Sequence, residues 1–145
     1  MKFTGRLFAG NLIVTNENPD TSDTKCIYKS RFGKSGEIIA MNYLKESGLK
    51  FLKANYRFQR AEIDLIFEDV SGKTLLFIEV KTRKNKNFGE PEESVTPYKM
   101  ENIKKAAMGF ILENELYSGH DLRIDVVSIL FTDGIPDINH IKNAF

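Results

Sequence analysis

A single cysteine, Cys26, excludes an intrachain disulfide and a cysteine-based zinc site. Apart from Lys25, nothing beside it would activate a thiol. Histidine is almost as scarce. His120 and His140 have no partners at metal-ligand spacing, so both read as structural or surface residues. No apolar run approaches the length of a membrane span. Leu7 to Val14 is apolar, but Asn11 interrupts it and no small-residue cleavage site follows. It does not read as a signal peptide, which leaves the cytoplasm as the default compartment and no membrane as a partner. Repeats and low-complexity segments are also missing.

What is present suits one soluble globular domain. A chain of 145 residues with 41% apolar and 28% charged residues can bury a sizeable core. The net charge of +1 hides an uneven distribution. Residues 30–60 carry seven Lys/Arg against two acids, and residues 61–80 carry five acids against one Lys. Residues 81–105 return to seven basic against four acidic, and residues 106–145 carry two against six. Two basic flanks around an acidic centre suit a metal site that handles a polyanion. Charge alone leaves solvated faces that happen to cluster equally open.

Residues 1–29 read as an appendage to a domain over 30–145. The polar stretch Thr15 to Thr24 resembles a loop or disordered tether. A helix is expected from about Phe32 to Ser47, stopped by Gly48. Glu37 shares a face with Ala40, Met41 and Leu44 at i+3, i+4 and i+7, so its carboxylate points along an apolar stripe. An acid in a helix's first turn, favoured by the macrodipole, is the competing account. Leu49 to Tyr56 reads as a strand, with Arg57, Gln59 and Arg60 in the connection after it.

Residues 62–83 then read as a hairpin turning at Ser71-Gly72-Lys73. Alternation puts Glu62, Asp64 and Ile66 on one face of the first strand. It puts Leu75, Phe77, Glu79 and Lys81 on one face of the second. Both strands are otherwise apolar enough to be central, where unpaired charge is costly. After a charged loop over 83–96, Thr96-Pro97 opens a second helix, with Ile103, Ala106, Ala107, Phe110 and Ile111 at helical spacing. Leu122 to Phe131 is a strand, Asp133-Gly134 a turn, and Ile135 to Phe145 a short last strand or tail. The order α-β-β-β-α-β predicts an α/β layered domain with a mixed sheet.

Four residues in this order could carry chemistry: Glu37, Asp64, Glu79 and Lys81, with Glu62 adjacent. A turn around Gly72 brings Asp64 and Glu79 to neighbouring positions. Two such carboxylates repel unless a cation holds them. Oxygen ligands without His or Cys suit Mg²⁺ or Mn²⁺. Lys81 can position a water or stabilise charge on phosphate oxygens. These parts suffice for metal-assisted phosphodiester hydrolysis. The competing account is a buried ion pair, Glu79 with Lys81 or Asp64 with Arg83.

Asp64 followed by Glu79-Val80-Lys81 matches the PD-(D/E)xK pattern of restriction-endonuclease-like nucleases. The surrounding residues resemble the YraN family, bacterial proteins described as endonucleases similar to archaeal Holliday-junction resolvases. The resemblance is carried by Gly36-Glu37, Asn55-Tyr56-Arg57, Glu62-Ile63-Asp64-Leu65-Ile66, Phe77 to Arg83, Phe88-Gly89, Pro91, Lys99, Asp125-Val126-Val127 and Asn143-Ala144-Phe145. It runs from about Arg31 to the C-terminus. One departure is Ala61, where the family usually has glycine before Glu62.

The resemblance implies a restriction-endonuclease-like core and an endonuclease acting on DNA, branched or otherwise structured. It implies that Glu37 joins Asp64 and Glu79 around Mg²⁺ or Mn²⁺ while Lys81 aids the attacking water. By analogy with junction resolvases it also implies a homodimer. Arg57, Arg60, Arg83, Lys84 and Lys86 flank the site and are candidate phosphate contacts, or else a solvated rim. Tyr56 and Phe88 are candidates for base stacking, with packing the stronger account. Lys99 either reaches the cleft or faces water, and Arg123 with Asp125 reads as a structural pair. A nucleic-acid-binding or scaffolding module without cleavage is the alternative function, and an RNA-directed nuclease a third.

Overall fold

The structure, a computed structural model, describes residues 22–84 and 95–145, with side chains from Gly33 onward within them. The predicted tether from Thr15 as far as Thr21, and Lys86, Phe88, Gly89 and Pro91, lie outside the described residues. Helix α1 spans Ser22–Glu46, beginning well before the predicted start at Phe32. The Ser, Asp and Thr residues that read as loop are also those that helix beginnings favour. Gly48, at φ +85, ends it as expected. The Gly48 N–H reaches the Lys45 carbonyl at 3.0 Å, and the Leu49 N–H reaches that of Leu44 at 3.2 Å.

Strands β1 (Lys50–Phe58), β2 (Ala61–Asp69) and β3 (Thr74–Arg83) form an antiparallel meander. The β2–β3 turn is the predicted one. Asp69 Oδ1 accepts the Ser71 and Gly72 N–H groups at 3.1 and 3.2 Å, and Lys73 sits at φ 49. Helix α2 (Pro97–Glu113) has Thr96 as its cap, whose hydroxyl accepts the Lys99 N–H at 3.2 Å. A short 3₁₀ turn at Glu115–Tyr117 leads into β4 (Asp121–Thr132), which pairs parallel to β3. A parallel pair needs a crossover, and α2 lies in that connection. Strand β5 (Ile135–Ile141) adds an antiparallel edge, so the sheet order is β1-β2-β3-β4-β5.

This five-stranded mixed sheet is the predicted α/β architecture, the arrangement of a restriction-endonuclease-like core. Each helix covers one face. Ile103, Ala106, Ala107 and Phe110 of α2 pack on Ile63, Ile66, Leu75 and Phe77. Ala40 and Leu44 of α1 pack on Leu65, Phe67, Leu76, Ile78, Val127 and Ile129. The central strand β3 is covered on both sides, which explains its unbroken apolar run from Leu75 to Ile78. Full burial of Phe67 or Phe77 contributes about 2 kcal/mol each. Among the described residues no helix is long and apolar enough to cross a membrane.

Candidate active site

The site begins with a break in strand periodicity. Ala54 packs on the α1 side of the sheet, yet Tyr56, two residues on, belongs to the α2 side. Between them Asn55 adopts φ 50, a left-handed conformation that Asn tolerates better than most residues. Across the ladder β2 makes the same switch. Ile63 faces α2 with Tyr56, while Leu65 faces α1 with Ala54. Asp64 lies at the switch point, opposite Asn55. The simple alternation predicted for residues 62–67 therefore fails between Ile63 and Leu65. Strict period-two counting holds only while every residue stays extended.

The β2–β3 ladder runs from Asp69↔Thr74 to Leu65↔Ile78, and its next step would pair Asp64 with Glu79. The predicted adjacency is thus present. Past Leu65 the side chain of Asp64 takes over the pairing: its Oδ2 accepts the Val80 N–H at 2.8 Å. Glu79 is 4% exposed. Its Oε1 accepts a directed hydrogen bond from Lys81 at 2.9 Å. Its Oε2 lies 3.1 Å from the Lys99 ammonium of α2. That second contact is an ion pair without hydrogen-bond alignment, so buried Oε2 has no hydrogen-bond donor.

Burial, and next the charge of Glu79, push the Asp64 carboxyl up to about 7. The Val80 N–H and Lys99 oppose the rise, and Glu37 adds to it. Glu37 is therefore within electrostatic reach of the pair. Its helix begins at Ser22, so Glu37 is no first-turn acid and the macrodipole account of it falls. What brings α1 this close is Gly36. A Cβ there would collide with the Thr82 hydroxyl of β3, one residue beyond Lys81.

The donor set fits a hard divalent cation. Asp64 and Glu79 offer oxygen only, they sit side by side, and Oε2 of Glu79 is buried without a hydrogen bond. Among the described residues no three His, Cys, Asp or Glu side chains converge closely enough to cage a metal. Asp64 and Glu79 are brought together, and Glu37 stands beyond them. Mg²⁺ is commonly held by one or two carboxylates, with waters and phosphate oxygens completing its shell.

The remaining candidates divide clearly. Arg57 pairs with Glu62 directly across the ladder at 3.0 Å, with its side chain 74% exposed. Glu62 is thus a cross-strand ion-pair partner. Arg60 is exposed in the β1–β2 turn, Arg83 ends β3 and exposed Lys84 follows it. By register all four lie at the end of the sheet that carries Asp64 and Glu79. Tyr56 is core, its hydroxyl donating to Glu113 at 2.8 Å. Arg123 and Asp125 pair twice at 2.9 Å, as the sequence predicts. Each histidine meets an acid: His140 lies 2.9 Å from Asp125, and His120 lies 3.0 Å from Glu68 at the other end of the sheet. Lys99 is the member that sequence reasoning underweighted. Its signal was the Thr96-Pro97 helix start, which puts residue 99 in the first turn.

The chain matches the Uncharacterised protein family UPF0102 over residues 36–129, a span that includes Glu37, Asp64, Glu79, Lys81 and Lys99. A UPF0102 protein of Geotalea daltonii is 44% identical over 114 residues, covering 78% of this chain and 87% of that protein. Another, of Geotalea uraniireducens, is 42% identical over 127 residues, covering 87% and 94%. A third, of Syntrophomonas wolfei, is 43% identical over 113 residues, covering 78% and 96%. With this much of both chains aligned, the protein belongs to UPF0102, the YraN family that its motifs resemble.

Proposed function

We propose that this protein is a Mg²⁺- or Mn²⁺-dependent endonuclease that hydrolyses DNA phosphodiester bonds, with branched or structured DNA as its substrate. The observation that carries the reading is the meeting of Asp64 and Glu79 where β2 and β3 part, with two lysines on Glu79. Asp64 and Glu79 would hold the ion, and Glu37 would add negative charge beside them. When bound, such an ion supplies charge stabilisation and an acidified water. Lys81, fixed on Glu79 Oε1, has further N–H donors to orient a water or bind a phosphate oxygen. Arg57, Arg60, Arg83 and Lys84 at the same end of the sheet supply charge for the phosphate backbone. A homodimer would let two such sites cut two strands symmetrically. A cytoplasmic location would bring the enzyme to such a substrate.

The test is a cleavage panel of duplex, single-stranded and branched DNA, with RNA counterparts, with and without Mn²⁺. The reading expects metal-dependent cutting of DNA that Asp64→Asn and Lys81→Ala abolish while the circular dichroism spectrum is retained. No cleavage of any substrate by the wild type would sink it. One observation favours a second reading. Both Lys81 and Lys99 neutralise Glu79 directly, as in a structural ion cluster. A binding or scaffolding module of this kind would bind DNA in a salt-sensitive way unaffected by Asp64→Asn.

A further inference from the structure

The two lysines on Glu79 are held differently. Lys81 belongs to the same strand, and its ammonium makes a directed hydrogen bond to Oε1 at 2.9 Å. Lys99 comes from the first turn of α2, and its ammonium approaches Oε2 at 3.1 Å without hydrogen-bond alignment. The backbone of Lys99 is pinned by the Thr96 hydroxyl, so only the side chain needs to turn for the ammonium to leave. That side chain is 33% exposed and has solvent to turn into. Its present position is the place where a positive charge is needed most, since Oε2 is buried and Asp64 is the next residue across the ladder.

We infer that Lys99 is a built-in, removable counter-ion: it neutralises Glu79 in the metal-free protein and cedes Oε2 to a divalent cation. The inference rests on the metal-dependent reading of this site. In it Lys81 stays on Oε1 while Lys99 swings out, so loading the site exchanges one cation for another. The acid pair is then never left bare, and the released ammonium remains at the mouth of the site, where a phosphate would arrive.

A competitor that is removed no longer competes. Lys99→Gln should therefore bind Mn²⁺ more tightly than wild type, by about tenfold given the strength of a charge at ion-pair distance. Lys99→Arg, which keeps the charge, should stay close to wild type. Mn²⁺ affinity is measured by electron paramagnetic resonance titration of the free ion, with no DNA present. Thermal unfolding accompanies it, and Lys99→Met replaces Lys99→Gln if the latter fails to fold. A merely structural Lys99 would show lower stability with unchanged or weaker Mn²⁺ binding, and that result overturns the proposal. Asp64→Asn separates the two levels of the argument. If wild type binds Mn²⁺ and Asp64→Asn does not, the metal site stands whatever Lys99 does. If wild type binds no Mn²⁺, the metal-dependent reading fails and the counter-ion proposal falls with it.

Discussion

Asp64 Oδ2 accepts the Val80 N–H at 2.8 Å, so a side chain continues the β2–β3 pairing where the backbone ladder stops. This one bond ties Asp64 to β3 beside Glu79. It also binds a carboxylate that its surroundings resist ionising.

That resistance has a pH signature. Burial, then the charge of Glu79, raise the Asp64 carboxyl from 3.8 to about 7. The folded protein holds this proton more tightly than the unfolded chain between those two values. Its contribution to stability is therefore lost as pH rises from about 4 to about 7. Asp64→Asn keeps an oxygen acceptor for Val80 and carries no charge. Without metal, the variant should be more stable than wild type at about pH 8 by on the order of 1–3 kcal/mol, with the gap closing near pH 4. Thermal unfolding across this range measures it; parallel profiles for the two proteins would remove Asp64 as the cause.

Asp125 behaves in the opposite sense. Burial alone would raise its carboxyl, but hydrogen bonds from His140, Arg123 and the Asn143 N–H together hold it below the usual 3.8. The stability it contributes is present above about pH 4 and disappears below. Asp125→Ala leaves two basic partners in place and should cost about 3 kcal/mol in urea unfolding at neutral pH. Arg123→Met, which leaves His140 and Asn143 on the carboxylate, should cost about 1 kcal/mol.

Gly36 tests the seating of α1. In an ordinary helix interior, Gly→Ala gains up to about 1 kcal/mol. Here the added methyl meets the Thr82 hydroxyl, so Gly36→Ala should destabilise by about 1–3 kcal/mol. Thr82→Ala in the same chain should recover part of the loss, a non-additivity read from a double-mutant cycle. Equal and additive effects would show that the two positions do not touch.

Glu62 offers the contrast with Asp64. Its pairing with Arg57 is largely exposed and worth less than about 1 kcal/mol. Glu62→Gln should leave urea unfolding almost unchanged and leave metal-dependent cleavage intact. A loss of cleavage equal to that of Asp64→Asn would place Glu62 among the working acids.

Much of this protein is legible in one dimension. The apolar runs of residues 65–67 and 75–78 mark buried strands, because a strand covered on both faces has no polar side to show. Thr96-Pro97 marks the start of α2 and Gly48 the end of α1, because caps are local chemistry. Glu79-Val80-Lys81 carries the likeness to known nucleases, and it lies at the strand end where Asp64 and Glu79 come together. Less legible was the start of α1, since Ser, Asp and Thr serve loops and helix beginnings alike.

Other features depend on distant parts of the chain. The sequence by itself determined the element order, the turn at Ser71-Gly72-Lys73 and the proximity of Asp64 to Glu79, since these follow from local conformation and from counting along one hairpin. Only the tertiary structure decided which charges share an environment. It put Lys99 on Glu79, Arg57 on Glu62 and His140 on Asp125, and it ran α1 past Thr82 so that Glu37 stands near Asp64. It also turned β1 and β2 over at Asn55 and Asp64, a change of face that no periodicity announces. The reason is physical: burial and pairing depend on which segments the chain folds together, and the neighbours of Glu79 come from three separate stretches of it.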